Sequence, residues 1–291
     1  MGREIKSPPA KVDVSRSFDG KHVIEFSETS HRYKLDGKAA VGVTTFLKGG
    51  YPTSQGLISW QKDQALKSLF SNLTSIGSEE GFCPREGFWP IREEIRQELF
   101  KEAKAADRAT AQEAADIGTL IHEYAFLYET KGDINLLESQ INRLPEENRV
   151  LILNGISKFK SWRELNPDNL TAVEQLVASP THMFCGKFDK LAIRDGVLVL
   201  SDYKSSKSIY LDMFIQLAAY AIAIKEWMGL DVGALEILRF GKEDGEFETM
   251  LVNDPAEIKL FKDQAIRCRQ THEFRKLEND DRWKYVPKAA K

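Results

Sequence analysis

The dipeptide Asp195-Gly196 stands between two apolar runs, "KLAI" and "VLVL", that are typical of β-strands. Asp-Gly favours a two-residue hairpin turn in which both residues take positive φ, and such a turn determines which residues face each other across the hairpin. The predicted register places Leu191 opposite Leu200. Because side chains alternate between the faces of a strand, every second residue of the hairpin shares the face of these leucines.

At the open end of the hairpin the same register places Asp189 opposite Asp202 and Lys187 opposite Lys204. Directly opposed side chains have Cβ atoms about 4.5 to 5.5 Å apart, a distance at which like charges are destabilising. A shared proton or a bound divalent cation would offset the repulsion between the aspartates. Lys204 would then hold its ammonium group beside charge that develops on a substrate. The alternative is a strand end at which the four groups form salt bridges.

Glu174 lies in a third predicted strand, about 171 to 178. The turn "SPTH" that follows predicts Glu174 opposite Lys187, although the loop length leaves this register less certain than that of the hairpin. Glu174 is therefore predicted to face a metal or to support its ligands, and a simple salt bridge to Lys187 is the alternative. Lys190 is predicted to point to the opposite face of the sheet.

The segment from about Ala106 to Lys131 has a helical pattern, and Gly132 stands where such a helix would stop. One stripe of this helix consists of small residues with a single histidine, namely Ala111, Ala115, Gly118, His122 and Ala125. Small side chains would let the helix lie close to a sheet, with His122 as the functional group on that side. Taken alone, His122 is better explained as a hydrogen-bonded core histidine.

The order of predicted elements is helix, three strands, helix, strand, which predicts an α/β fold with a mixed sheet. The helix "LDMFIQLAAYAIAIKEWMG", the strands "ALEILRF" and "FETMLV", and a helix from about Pro255 complete it. Near the N-terminus, "HRYKLDGKAAVGV" predicts two strands around Asp36-Gly37. Further predictions are a helix at about 56 to 70 and a loop at 77 to 90. We expect an accessory region (1–105), a core (106–252), and a C-terminal helix with a tail packed on the core (253–291).

The series "GTLIHEY", "VEQLVAS", "GKFD", "SDYK" and "QLAAY" resembles the PD-(D/E)XK nuclease superfamily, and specifically its RecB-type branch. The resemblance covers residues 106–252, about half of the chain. The stretch "HRYKLDGKAAVGVTTFLKGGYP" is also similar to the front of phage-type and mitochondrial genome maintenance exonucleases. The resemblance implies a restriction-endonuclease-like core of order αβββαβ, with a mixed central sheet flanked by helices.

The resemblance also implies a site that binds one or two Mg²⁺ or Mn²⁺ ions. The implied metal ligands are His122, Asp189, Asp202 and the backbone carbonyl of Tyr203, and Asp189, Asp202 and Lys204 are the implied catalytic residues.

Gln216 and Tyr220 match the QxxxY pair of the family. They stand four residues apart, on one side of a helix, where they could hold phosphate or orient the lysine. Alone, this pair fits an ordinary amphipathic helix. Lys187 and Lys207 are candidate phosphate contacts, and Lys207 is equally well explained as a solvated surface charge.

Composition limits the other classes of function. The net charge is -3, so a nucleic-acid partner would have to be held by a local basic surface. Three scattered cysteines fit neither a disulfide framework nor an iron-sulfur cluster of four cysteines, so we expect no such cluster. The run "LAAYAIAI" is too short to span a membrane and the start resembles no signal peptide. We expect a protein of the cytoplasm, in a bacterium or a phage-infected cell.

These observations predict a metal-dependent nuclease, most simply an exonuclease that acts on single- or double-stranded DNA ends and, as the resemblance implies, leaves 5′-phosphates. An endonuclease of the same superfamily and an inactive nucleic-acid-binding module are the alternatives. A homo-oligomer or a recombination or replication partner protein is compatible with this prediction. Trp60 and Tyr51 could stack on single-stranded bases, or could simply pack in the core.

Overall fold

The structure is a computed structural model that describes residues 12–52, 117–241 and 244–279. The predicted helix at 56 to 70, the loop at 77 to 90, the boundary at 105, Trp60 and the C-terminal tail lie outside these residues. So does the part of the predicted helix that precedes residue 117. The described residues of 12–51 and 120–279 belong to one compact unit.

Nine strands of the described residues form one sheet. The strands are β1 (Val12–Arg16), β2 (Val23–Ser27), β3 (Arg32–Leu35), β4 (Lys38–Gly42), β5 (Asn169–Ser179), β6 (Phe184–Arg194), β7 (Val197–Ser205), β8 (Ala234–Phe240) and β9 (Phe247–Val252). Their order is β1-β2-β3-β4-β6-β7-β8-β9, and β5 pairs with the other edge of β6. The β4–β6 and β7–β8 pairs are parallel and the remaining pairs are antiparallel, so the predicted mixed sheet is confirmed.

Helices pack against this sheet. They are α1 (Val43–Gly50), α2 (described from 117 to 129), α3 (Asn135–Ile141), α4 (Glu146–Leu165), α5 (Leu211–Met228) and α6 (Pro255–Arg275), and a 3-10 turn (Lys276–Asn279) follows α6. The helix α5 packs on β5, β6, β7 and β8, and α1 and α6 pack on α5. The helix α4 packs on β8 and β9, where the ring of Phe159 contacts Phe240 and Phe247. The fold is therefore mixed α/β.

No helix in the described ranges has the length and apolar character needed to cross a bilayer.

The hairpin of β6 and β7 has the predicted turn. Asp195 and Gly196 have φ values of 51° and 78°, and Leu191 lies opposite Leu200. The structure also confirms the strand pair around Asp36-Gly37, the strands β8 and β9, and the helix from Pro255.

The β6–β7 ladder is shorter than predicted. It ends at Lys190 and Ser201, so neither the two aspartates nor Lys187 and Lys204 are ladder partners, and the prediction of direct opposition is wrong. The reason is that β7 continues alongside β8, whereas the edge of β6 pairs with β4 at Phe184 and Cys185. Residues 186–189 of β6 therefore face a gap in the sheet between β4 and β7, which we call the sheet gap.

The predicted register of β5 is also wrong. Leu176, not Glu174, lies opposite Lys187, because the turn between the strands contains the four residues 180–183. Glu174 instead lies at the level of Asp189, between the pairs Gln175–Phe188 and Val173–Lys190. The corrected register thus brings a further carboxylate to the sheet gap.

Five helices and strands of the described residues were not predicted from the sequence, namely β1, β2, α1, α3 and α4. The helix α2 ends close to the predicted stop, but Lys131 adopts the left-handed conformation (φ 54°) rather than Gly132. The Gly132 N–H then donates to the Leu127 carbonyl (2.8 Å) and completes the last turn.

The turn gives the first testable prediction. Replacing Gly196 by alanine forces a side chain into a left-handed backbone and should lower the free energy of unfolding by about 1 to 2 kcal/mol. Urea unfolding measures this, with Asp231→Ala on an exposed side chain as the control. Unchanged stability of the Gly196→Ala variant would contradict the described turn.

Candidate metal-binding site

The sheet gap brings together side chains from α2, β5 and β6. The ligand atoms of His122, Glu174 and Asp189 all lie within 4.8 Å of one another. His122 Nδ1 lies 3.5 Å from Asp189 Oδ2. Two carboxylates and an imidazole are a donor set that Mn²⁺ and other divalent cations accept in proteins. Among the described residues, these three side chains form a group that could hold a metal ion, and we call it the metal-binding group.

Asp189 has two roles in the local structure. Its Oδ2 accepts a hydrogen bond from the backbone N–H of Tyr203 (2.8 Å), a donor that the interrupted ladder leaves without a strand partner. Burial, followed by the charge of Asp202, raises the pKa of Asp189 well above its usual range. A carboxyl group in such a place is costly to ionise unless a cation is close.

Burial lowers the pKa of His122, with the charge of Asp202 as the largest opposing influence. The neutral ring is the form of histidine that binds metals.

Glu174 reaches the gap through an uncommon backbone conformation. It has φ 48° in the middle of β5, and the ladder with β6 is interrupted at this residue. A non-glycine residue in this region costs on the order of 1 kcal/mol and persists where the surroundings enforce it. Glu174 Oε2 also forms the predicted ion pair with Lys187 Nζ (2.7 Å). The residue therefore contributes to the metal-binding group and is not only a partner of Lys187.

Asp202 lies beside this group, on β7, and is almost completely buried. Its Oδ2 forms an ion pair with Lys204 Nζ, and its Oδ1 accepts a hydrogen bond from Gln216 Nε2 (3.2 Å). Lys204 Nζ also donates to Gln216 Oε1 (3.3 Å). Burial alone would lower the pKa of Lys204, but the carboxylates of Asp202 and Asp189 raise it above the usual value. Gln216 thus connects the acid and the lysine.

Tyr220 lies under the site, one helical turn after Gln216, and is buried. Burial, and then the charge of Asp202, raises the pKa of Tyr220 well above its usual range, so the phenol stays neutral. A Cβ atom on Gly186 would lie 2.5 Å from Cε1 of this ring. A side chain at position 186 would therefore collide with the Tyr220 ring, so the ring can lie here only because "GKFD" begins with glycine.

The remaining predicted residues lie around this centre. The side chain of Tyr203 points away from Asp202, and its hydroxyl donates to Glu129 Oε1 (3.3 Å). A metal contact by the Tyr203 carbonyl stays a prediction. Lys207 is exposed on the loop after β7, where Arg239 Nη1 donates to the carbonyls of Ser206 (2.8 Å) and Lys207 (3.1 Å). Tyr51 is partly buried against the hydrophobic core.

Two features of the site were missed from the sequence. Gly186 had a signal, since a glycine inside a strand often marks a close approach of another group. Glu129 and the buried charges around it also had a signal. Lys190 was predicted to point to the opposite face of a sheet flanked by helices, and a lysine buried on that face needs an acidic partner.

Comparison with known proteins adds little to this geometry. No protein-family model and no curated protein matches the chain. A presumed exonuclease from Eubacterium rectale is 12% identical, with a TM-score of 0.35 over 60% of this chain and 77% of that chain. The protein SSO0001 is also 12% identical, with a TM-score of 0.25 over 57% of this chain and 77% of that chain. At these scores neither likeness supports a conclusion about fold or activity.

The pKa of Asp189 gives a prediction about stability. A carboxyl group whose pKa is raised on folding stabilises the protein fully only below its unfolded pKa of about 3.9, and this contribution disappears as pH rises through the folded value. Asparagine does not titrate. In EDTA, the free energy of unfolding of Asp189→Asn minus that of wild type should therefore be larger at pH 8 than at pH 5. Urea unfolding of both proteins at both pH values measures this difference. A difference that is smaller at pH 8 than at pH 5 would contradict the raised pKa.

Glu174 gives a second prediction. Glu174→Gln keeps the shape of the side chain but removes a charge, so the dissociation constant for Mn²⁺ should rise by about 10-fold or more. Isothermal titration calorimetry measures it. Glu164→Gln, on an exposed position of α4, is the matched control and should leave the constant unchanged. Equal constants for wild type and Glu174→Gln would remove Glu174 from the site.

Proposed function

We propose that the protein is a metal-dependent nuclease of the PD-(D/E)XK superfamily, in its RecB-type branch, and that it hydrolyses DNA phosphodiester bonds as an exonuclease. The observation that carries the proposal is the sheet gap itself. His122, Glu174 and Asp189 converge there, and the connected group of Asp202, Lys204 and Gln216 lies beside them. The resemblance of "GKFD", "SDYK" and "QLAAY" to that branch gives these residues their proposed roles.

The charges of the gap fit a divalent cation. Glu174 and Asp189 have carboxylate oxygens within 4.8 Å of each other, and the Asp202 carboxylate raises the pKa of Asp189. Such an accumulation of negative charge is unfavourable in a buried place, and a cation offsets it. We propose Mg²⁺ or Mn²⁺, one or two ions, held by His122, Glu174 and Asp189, with Asp202 as a further ligand.

A divalent cation bound here would lower the pKa of a water molecule and neutralise charge on a phosphodiester. The residues of the chain supply the rest. Lys204 keeps its positive charge because of the neighbouring acids, and its ammonium group is held at the gap by Asp202 and Gln216. A charge that is positioned in advance stabilises the negative charge that develops on the scissile phosphate.

Gln216 and Tyr220 are proposed to orient this lysine rather than to bind substrate, since Gln216 is hydrogen-bonded to Asp202 and Lys204 and Tyr220 is buried. Lys187 is 42% exposed at the rim and Lys207 is exposed on the loop after β7. We propose that these two lysines contact backbone phosphates, a type of contact that weakens as salt is added.

The proposed nuclease core is residues 106–252, with the N-terminal strands and α6 as additions. A preference for DNA ends and products with 5′-phosphates follow from the resemblance. The proposed location is the cytoplasm of a bacterium or a phage-infected cell. An endonuclease of the same superfamily is the second candidate, since the same charges would serve it.

The test is digestion of end-labelled linear and covalently closed circular DNA with Mg²⁺, Mn²⁺ or EDTA. Wild type should degrade linear DNA only with a metal and should spare circles. Asp202→Ala and Lys204→Ala should lower the rate by about 10²-fold or more, the size of effect seen when a group that stabilises the transition state is removed.

Lys225→Ala and Asp231→Ala are the matched controls, because these residues form an exposed ion pair with each other on the surface. Both should retain wild-type rates. Cleavage of circles would favour the endonuclease. An inactive wild type that still binds DNA would favour a binding module and contradict the proposal.

A further inference from the structure

Close to the metal-binding group, a second set of charged residues is buried and neutral overall. It contains three acids and three bases, namely Glu129, Asp168, Glu236, Arg163, Lys190 and Arg194. None of these side chains is more than 14% exposed. We call this set the ionic cluster. It contains no group to which the proposed reaction assigns a role.

Glu129 is at the centre of the ionic cluster. Its Oε1 accepts from Lys190 Nζ (2.7 Å) and from Arg163 Nε (2.9 Å), and its Oε2 accepts from Arg163 Nη2 (3.1 Å). The Tyr203 hydroxyl donates to the same Oε1 (3.3 Å). Lys190 Nζ also lies 2.9 Å from Asp168 Oδ2. Glu129 therefore joins α2 to β6, α4 and β7.

The position of this cluster along the chain matters for the metal-binding group. Glu129 follows His122 by seven residues on α2, about two helical turns, so both lie on the same side of the helix. Lys190 directly follows Asp189 on β6. The helix α2 and the strand β6 are thus linked twice, by His122 with Asp189 and by Glu129 with Lys190. The second link is buried, and the first is where the cation would bind.

A buried ion pair is a weak source of stability, because the cost of removing two charges from water largely cancels their attraction. An apolar pair would pack α2 on β6 equally well. Unlike an apolar contact, an ion pair has its optimum at one short distance and therefore determines the position of the helix along the strand.

We propose that the Glu129–Lys190 ion pair is a positioning element of the metal-binding site. It holds α2 at one place along β6 and so sets the distance between His122 and Asp189. Glu129 and Lys190 are positioning residues and contact neither cation nor substrate. This inference rests on the proposed function, since it assigns a purpose to the distance between two proposed metal ligands.

The test compares wild type with Glu129→Gln, Lys190→Met and the double variant. Each should raise the dissociation constant for Mn²⁺ by about 10- to 100-fold, the effect typical of residues that orient metal ligands. The double variant removes one charge of each sign and leaves the ionic cluster neutral, with two acids and two bases. Its urea midpoint should therefore recover towards that of wild type while its Mn²⁺ affinity stays low. The turnover number on linear DNA should fall more than KM rises.

Glu236→Gln is the matched control, because Glu236 is equally buried and paired with Arg194 but forms no hydrogen bond or ion pair with the described residues of α2. It should leave the Mn²⁺ dissociation constant unchanged even where it lowers the urea midpoint. Wild-type affinity in the double variant, or an equal loss of affinity in Glu236→Gln, would overturn the positioning role alone. Absence of Mn²⁺ binding by wild type would overturn the proposed function together with this inference.

Discussion

The hydrogen bond from the Tyr203 N–H to the Asp189 carboxylate is the contact on which the site depends. It lies where the β6–β7 ladder stops, so a side chain takes the place of a backbone carbonyl. Buried backbone donors almost always have partners, and a carboxylate is a strong one. The strands can therefore separate without leaving this N–H unpaired. The same contact holds an acid at the edge of the resulting gap.

The two sets of charged residues near the gap differ in their balance of positive and negative charge. The charges of the ionic cluster are balanced, since its acids and bases are equal in number and close together. In the metal-binding group, by contrast, burial and Asp202 raise the pKa of Asp189, which marks a deficit of positive charge. Lys204 and Lys187 offset part of it through their ion pairs with Asp202 and Glu174. A divalent cation is the simplest addition that would offset the rest.

Short-range patterns in the sequence predicted most of the sheet. The Asp195-Gly196 turn and the leucine register were predictable because the turn residues require positive φ and the strands alternate. The gap was not predictable, because it arises from β4, which pairs with β6 from more than a hundred residues away. Glu174 was placed opposite the wrong residue because the sequence does not show how many residues around "SPTH" belong to the turn, and a different loop length shifts the register. The ionic cluster was not predicted, because it forms only where α2 packs on the sheet, and no local sequence pattern shows where α2 packs.

Anomalous scattering of Mn²⁺ in crystals of wild-type protein tests the metal-binding site most directly. We expect a peak at the sheet gap, about 2 Å from ligand atoms of His122, Glu174 and Asp189. A gap without a peak at saturating Mn²⁺, or a peak held by other residues, would contradict this expectation.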